Sequence, residues 1–346
     1  MKKIIILFLL ILLPIKINAF DLGKSAILME EDTKRVLVSK NINSKRLIAS
    51  TTKIMTAIIA IESNKLHETV KVGNEILESY GSSIYLKIGQ KIRLEDLVYG
   101  LLLRSGNDAA LAIQNYLGKE KFIDNMNKKA KEIGMNNTTF NNPHGLDEKT
   151  ANYSTAYDMA LLMRYANSLE KFKEISSTQK YKIMYGNTLN IWNNKNKLLK
   201  LYEYTTAGKT GYTEKAGRTL VTSASKNDMN LIVVTLNDGN DFKNHKELYE
   251  YGFENYSMIK VFDKDNIKLK NVYATDDYFY PLTKKEKELI RIDYELNEQK
   301  AKNNFIGYAK IYLGNLLIHK ERLYLNEIKN NKNNFSIFKK IVNLFS

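Results

Sequence analysis

The chain has no cysteine in its 346 residues, which excludes thiolate nucleophiles, disulfide cross-links and Cys-ligated metal. Histidine is nearly as scarce. His67, His144, His245 and His319 are the only four, none at ligand spacing from another, so the sequence offers no zinc site. Internal repeats are lacking, as is any long low-complexity segment beyond the polar "NEIKNNKNN" linker near the end. The apolar run from Ile4 to Leu13 in "MKKIIILFLLILLPIKINAF" is too short to cross a bilayer. With two lysines ahead of it and Ala19 at a small-residue cleavage position, residues 1–19 read as a secretory signal peptide. The mature chain is therefore expected to work outside the cytoplasm, using hydroxyls, amines and carboxylates, with no metal and no organic cofactor.

Positive charge is plentiful. The formal net charge is +15, of which Lys2, Lys3 and Lys16 belong to the leader. The remaining lysines are scattered, and export separates the chain from nucleic acid, so an anionic envelope surface is the partner this charge fits.

The chain opens with a β pattern: "SAILMEEDTKRVLVSKN" places the runs Ala26 to Met29 and Arg35 to Val38 around an acidic turn, as in a hairpin. Helical signals follow. An apolar helix begins at Ser50, and "RLEDLVYGLLLRSGNDAALAIQNYL" gives two apolar helices broken at Ser105-Gly106-Asn107. "KEKFIDNMNKKAKEIG" reads as a further helix with a glycine stop, and "STAYDMALLMRYANS" as one with a Ser/Thr start. From Lys209 the period returns to two in "GRTLVTSASKNDMNLIVVTLND", a second hairpin, and "NHKELYEYGFENY" closes with a helix. Strands at both ends with helices between them predict an α+β fold, one antiparallel sheet flanked by a helical cluster.

Beyond about Tyr256 the texture turns to β in "NIKLKNVYA", "KELIRIDYEL" and "NFIGYAKIYLGNLLIHKERLYLNE", so residues 258–328 are expected to form a separate small β-rich domain. In the last segment, 329–346, Phe338, Ile341, Val342 and Phe345 follow a helical stripe that Phe335 extends. Lys339, Lys340 and Asn343 fall elsewhere on the wheel. This reads as a linker and an amphipathic helix lying in the plane of an anionic membrane, with docking on the protein itself as the alternative.

Three short motifs could carry chemistry. Ser50-x-x-Lys53 says little by itself, because the same spacing recurs at Ser168, Ser177, Ser223, Ser257 and Ser336. Only Ser50, however, stands at the mouth of a strongly apolar helix. There i and i+3 side chains share a face, helix N–H groups favour developing negative charge, and burial draws a lysine toward neutrality so that it can take a serine proton. Ser105-Gly106-Asn107 lies in a break between apolar helices, where its polar side chains face a cavity or act as a helix cap. Lys209-Thr210-Gly211 starts a strand beside a glycine-rich turn. A cation and a hydroxyl there can hold a carboxylate, and the glycine allows close backbone approach; a charged edge strand is the plainer reading.

Taken together and in this order, the three motifs resemble those of the serine D-alanyl-D-alanine carboxypeptidases, the low-molecular-mass penicillin-binding proteins. The stretches "IASTTKIMTA", "GLLLRSGNDAALAIQ", "NNTTFNNPHGLDE" and "AGKTGYTEKAGRTLV" extend the resemblance over residues 20–256, so that 20–257 is expected to be the catalytic domain. It implies a β-lactamase/transpeptidase-like fold and an acyl-transfer cycle. In that cycle Ser50 attacks the carbonyl between two terminal D-alanines, and Lys53 takes its proton. The backbone N–H groups of Ser50 and Tyr212 form an oxyanion hole, Ser105 relays a proton to the leaving amine, and Asn107 orients Lys53 and the peptide. Lys209 and Thr210, next to Gly211, hold the terminal carboxylate, and water then releases the acyl group. The implied substrates are peptidoglycan stem peptides, with β-lactams as covalent inhibitors and the outer face of the cytoplasmic membrane as the workplace.

One departure stands out. Where relatives place an arginine after the last hairpin, "DFKNHKELYEYGF" offers Lys243 and His245, so His245 is a candidate for carboxylate help; a structural contact is the plainer reading. His144 in "NNPHGLD" reads as loop structure.

Rival functions share the motifs. A class A β-lactamase needs a deacylating glutamate with an asparagine four places on, whereas "ANSLEKFKEISS" pairs Glu170 with Glu174. A DD-endopeptidase of cross-links, or a non-catalytic penicillin- or peptidoglycan-binding module, would carry the same three motifs.

Overall fold

The computed structural model describes residues 21–185, 188–296 and 304–325; the expected leader and the C-terminal amphipathic segment lie outside them. The α+β expectation holds. Five antiparallel strands form the main sheet in the order Val36–Lys40, Ser25–Glu30, Met229–Leu236, Gly217–Lys226, Thr205–Thr213. The two hairpins expected at either end of residues 20–257 thus meet at its centre, where Ile27 pairs with Val234. All six residues of Ser25–Glu30 are buried, because both faces of the sheet are covered.

Alternation divides those faces. Ile27, Met29, Val221, Ile232 and Val234 pack into the helical cluster built on α1 (Lys53–Glu62), α2 (Leu94–Tyr99), α3 (Asn107–Glu132), α4 (Ala156–Asn167) and α5 (Glu170–Ser177). Ala26, Leu28, Leu231 and Val233 face the other way, onto Leu198 of the short α6 (Leu198–Leu201) and onto Leu248 and Tyr249 of α7 (Asp241–Asn255).

Local chemistry explains the ends and breaks. α4 starts at Thr155, whose hydroxyl accepts from the Asp158 N–H, the expected Ser/Thr cap. α2 runs on into a π turn, Gly100–Arg104, that ends at Ser105 with φ 63. The segment expected as a separate "KEKFID" helix is one: within Asn107–Glu132, Gly118 takes a non-helical φ of 107 and ψ of 85, so α3 is two helices joined at a kink.

A second core gathers Val261, Phe262, Val272, Tyr280, Leu282, Ile306, Ala309, Ile311 and Leu323. It lies between a two-stranded sheet, Ser257–Phe262 with Tyr278–Leu282, and a four-stranded one ordered Val272–Tyr273, Leu316–Leu325, Phe305–Leu313, Ile290–Leu296. Arg35 ties this part to the first hairpin: it donates to the Pro281 carbonyl, pairs with Glu286 and lies over the Tyr256 and Tyr280 rings.

Candidate active site

The three motifs converge at the junction of the helical cluster and the edge strand Thr205–Thr213. Ala49–Thr52 form a 3₁₀ turn leading into α1, so Ser50 stands one turn ahead of the helix and Lys53 begins it. The turn is pinned from both sides. Thr219 Oγ1 donates to the Ile48 carbonyl at 3.2 Å, and Gly145, at φ +87, sits so close to Ala49 that an added Cβ would strike its carbonyl.

Lys53 is wholly buried, and its amine makes three contacts: Ser50 Oγ at 2.9 Å, Asn107 Oδ1 at 2.7 Å and the His144 carbonyl at 2.6 Å. The last two partners can only accept. A neutral amine has two N–H bonds and one lone pair, so satisfying both acceptors leaves the lone pair facing the serine hydroxyl. Burial lowers the Lys53 pKa well below the usual lysine value. The charges of Lys209 and Lys195 push in the same direction, and only Asp108 opposes them.

Asn107 is the first residue of α3. Its Nδ2 donates to the Tyr80 carbonyl at 2.6 Å, fixing which end of the amide meets Lys53. Its neighbour Asp108 orders the facing loop, accepting from Ser83 Oγ at 2.5 Å and from the Ile84 and Leu86 N–H groups at 3.0 Å each. Ser105 occupies the left-handed region between the π turn and α3, a conformation that costs energy for a non-glycine residue and turns its side chain into the cleft.

On the strand side, Gly211 approaches the turn so closely that a Cβ would lie 3.0 Å from both the Ser50 and Thr51 nitrogens and would collide with Thr219 Oγ1. This brings Tyr212 beside Ser50; its ring is turned out to solvent. Lys209 is 1% exposed and donates to the Thr210 carbonyl at 2.8 Å. Burial first, then Lys195, pull its amine down to about 7.

The cleft over these groups encloses about 540 Å³. Ser50, Ser82, Ser105 and Lys195 line one side, and Thr210, Gly211, Tyr212, Arg218, Asp241 and Phe242 the other. The structure thus brings Ser50, Lys53, Ser105, Asn107, Lys209, Thr210, Gly211 and Tyr212 together. His245 lies elsewhere. It is fully buried between Thr222 Oγ1, 2.7 Å from Nδ1, and Thr235 Oγ1, 3.1 Å from Nε2, and burial lowers its pKa to about 3. The carboxylate help expected of it has no geometric basis, because its ring faces the sheet and not the cleft.

Several participants carry no signal in the sequence. His144 contributes its backbone carbonyl, which nothing in its side-chain chemistry announces. Burial and then the Lys53 charge hold the imidazole down to about 3, and its Nδ1 accepts from the Leu146 N–H at 3.1 Å. Asn142 and Asn152 secure that loop: Asn142 Oδ1 accepts from the Gly145 N–H at 2.6 Å, and Asn152 Nδ2 donates to Thr52 Oγ1 at 3.0 Å. Lys195 and Ser82, hydrogen-bonded at 2.8 Å, and Arg218 also join the cleft without any motif to mark them. Glu170 and Glu174 sit outside the cleft lining. Glu170 is exposed on α5, and Glu174 accepts from Tyr99 Oη at 3.0 Å, so neither is set to activate water over Ser50.

Comparison with known proteins agrees with this geometry. The family model for peptidase S11, D-alanyl-D-alanine carboxypeptidase, matches residues 18–240. D-alanyl-D-alanine carboxypeptidase DacF of Bacillus subtilis (strain 168) is 30% identical over 328 residues, 88% of this chain and 83% of that protein. DacC of Escherichia coli (strain K12), also a D-alanyl-D-alanine carboxypeptidase, is 34% identical over 273 residues, 70% of this chain and 64% of that protein. Among solved structures, penicillin binding protein 5 from Haemophilus influenzae superposes with a TM-score of 0.76 at 26% identity, covering 88% of this chain and 96% of that one. With the family model spanning most of the chain and the motif residues gathered at and beneath one cleft, the chain belongs to the D-alanyl-D-alanine carboxypeptidase family, peptidase S11.

Proposed function

We propose that this cleft removes the terminal D-alanine from peptidoglycan stem pentapeptides through a serine acyl-enzyme. The observation that carries the mechanism is the buried Lys53 amine, 2.9 Å from Ser50 Oγ, with Asn107 Oδ1 and the His144 carbonyl as its two other partners; in its neutral form those two acceptors take both N–H bonds and leave the lone pair for Ser50. Ser50 Oγ attacks the carbonyl of the penultimate D-alanine, and its proton passes to Lys53. The negative charge on the carbonyl oxygen meets the backbone N–H groups of Ser50 and Tyr212, a pairing supported by the close approach of Gly211 to the turn. As the C–N bond breaks, Ser105 passes a proton to the departing amine and takes the one held by Lys53, which is neutral again. Water then attacks the ester carbonyl, giving a proton to Lys53, and that proton passes to Ser50 Oγ as the acyl group leaves as a carboxylic acid. Asn107 holds Lys53 and the peptide amide, and the Lys209 charge disfavours protonation of Lys53.

A β-lactam presents its strained amide to the same serine and stays attached as a slowly released acyl group, which makes such compounds covalent inhibitors. The relatives support action outside the cytoplasm, on the cell wall. Among the described residues no helix is long and apolar enough to cross a membrane. The Phe335, Phe338, Ile341, Val342 and Phe345 stripe supports peripheral attachment to an anionic membrane surface instead.

The test is release of D-alanine from a synthetic pentapeptide ending in D-Ala-D-Ala, coupled with intact mass after exposure to penicillin. Release by the wild type, a single penicilloyl adduct on the peptide containing Ser50, and loss of both in Ser50→Ala are expected. A folded wild-type protein that neither releases D-alanine nor takes up penicillin would overturn the reading.

A further inference from the structure

A peptide cut next to its last residue presents a free carboxylate to the cleft, and the lysine expected to receive it is withdrawn. Lys209 is 1% exposed, spends a donor on the Thr210 carbonyl and does not line the cleft. Three other cations do: Lys195, Lys197 and Arg218. Strand register sets Arg218 apart from Lys209. Tyr212 pairs with Arg218 and Thr210 with Leu220, so Thr210, Tyr212 and Arg218 share one face of the sheet, while Lys209 and Gly211 share the opposite face with Thr219 and Val221. Lys195 belongs to the other wall, where its backbone N–H donates to the Leu103 carbonyl at 3.0 Å and its amine to Ser82 Oγ at 2.8 Å.

Arg218 is also the most firmly oriented of the three. Its Nε and Nη2 donate to the two carboxylate oxygens of Asp241 at 3.1 and 2.6 Å, and its guanidinium carbon lies 5.5 Å from the centre of the Phe242 ring. Asp241 is buried behind it, with a side chain 4% exposed against 43% for Arg218, so an entering anion meets the cation first. Two of the five guanidinium donors are spent on Asp241, and the rest, Nη1 included, can turn to a planar oxygen pair.

We propose that Arg218, held by Asp241, receives the C-terminal carboxylate of the peptide together with the Thr210 hydroxyl, and so supplies from a strand the guanidinium that the helix after the last hairpin lacks. The assignment rests on the DD-carboxypeptidase reading. It makes Arg218 a specificity residue: the free acid at the substrate terminus is recognised here and not at Lys195 on the far wall.

The experiment compares kcat/KM for an acyl-D-Ala-D-Ala peptide with a free C-terminus and for the same peptide as its C-terminal carboxamide. Wild type, Arg218→Gln, Arg218→Lys and Lys195→Gln are assayed. A charge-assisted bond to a carboxylate corresponds to roughly tenfold to a hundredfold in this ratio. Arg218→Gln should lose that preference, chiefly through KM for the acid; Arg218→Lys should recover part of it, and Lys195→Gln should keep it. Because the acid-to-amide ratio is taken within one preparation, a partly misfolded variant does not alter it. An undiminished ratio in Arg218→Gln, or a ratio that collapses only in Lys195→Gln, overturns the assignment. Wild type that turns over neither peptide would overturn the underlying reading along with it.

Discussion

Asn107 Oδ1 accepts from Lys53 Nζ at 2.7 Å while the same amide donates from Nδ2 to the Tyr80 carbonyl at 2.6 Å, so the orientation of one carboxamide sets the hydrogen-bonding state of the buried amine. A neutral acceptor satisfies one N–H of Lys53 without stabilising the ammonium as a charge would.

Replacing Asn107 with Asp keeps the shape and adds a negative charge at that point. The lysine pKa should rise, because an adjacent carboxylate favours the ammonium, and the lone pair facing Ser50 is lost. Acylation by penicillin at neutral pH should slow by about a hundredfold or more, the usual contribution of a positioned base, and recover in part as pH is raised. Stopped-flow acylation across pH measures this. Asn107→Asp acylating at the wild-type rate at neutral pH would contradict it.

Lys209 couples the site to stability. Its folded pKa is about 7 against an ordinary 10.5, lowered by burial and then by Lys195. Between those values the unfolded chain binds a proton that the folded chain does not, so stability rises with pH across that window and levels off below about 7. One such proton is worth at most about 1.4 kcal/mol per pH unit. Lys53, shifted in the same direction, adds to the slope. Thermal unfolding from neutral pH upward should therefore show a steeper rise for wild type than for Lys209→Met; equal slopes would show that the amine keeps its proton when buried.

Gly211→Ala tests the closeness of strand and turn. Its Cβ would press on the Ser50 and Thr51 nitrogens and on Thr219 Oγ1, and backbone has little room to yield. A loss of about 1–3 kcal/mol in stability is expected from overpacking. The double variant Gly211→Ala/Thr219→Ala should regain stability without regaining acylation, since the crowding of the Ser50 N–H remains. Recovery of both in denaturation and acylation assays would mean that the strand-to-turn spacing is unimportant to the chemistry.

His245→Ala should act on folding alone. It removes a partner of two buried hydroxyls, Thr235 and Thr222, of which Thr222 keeps Tyr249 Oη at 2.7 Å, at a cost of about 1–3 kcal/mol. The wild-type imidazole, with a folded pKa of about 3 against 6.5, contributes stability that is lost as pH falls below 6.5. Urea denaturation at neutral pH and KM for the pentapeptide separate the two roles: a changed KM with unchanged stability would return His245 to the cleft.

The sequence showed those parts of the site whose meaning is local. Ser50 and Lys53 lie three residues apart at a helix mouth, Ser105 and Asn107 flank a helix break, and Lys209 to Gly211 stand within the edge strand Thr205–Thr213, not at its start as expected; each is weak alone, and their resemblance, taken in order, to one family's motifs singles them out. Arg218 was hidden because its place beside Thr210 and Tyr212 depends on a pairing between neighbouring strands, and an exposed arginine in a strand carries no signal of its own. The His144 carbonyl was hidden because any residue could supply it. In the fold, the two central hairpins were legible from alternation. The hairpin Lys180–Tyr185 with Thr188–Asn193 was not, since Met184, Leu189 and Ile191 are exposed and no clean apolar-in, polar-out pattern survives. Conversely, "NIKLK" alternates like a strand, yet pairing starts only at Val272.

Titration of isotope-labelled lysine side chains by NMR tests the neutral base most directly. Comparison with Lys53→Met identifies the Lys53 signal. We expect its midpoint well below 10.5, with the amine uncharged at the pH of maximal acylation. A Lys53 ammonium that persists into the ordinary lysine range would contradict its role as the acceptor of the Ser50 proton.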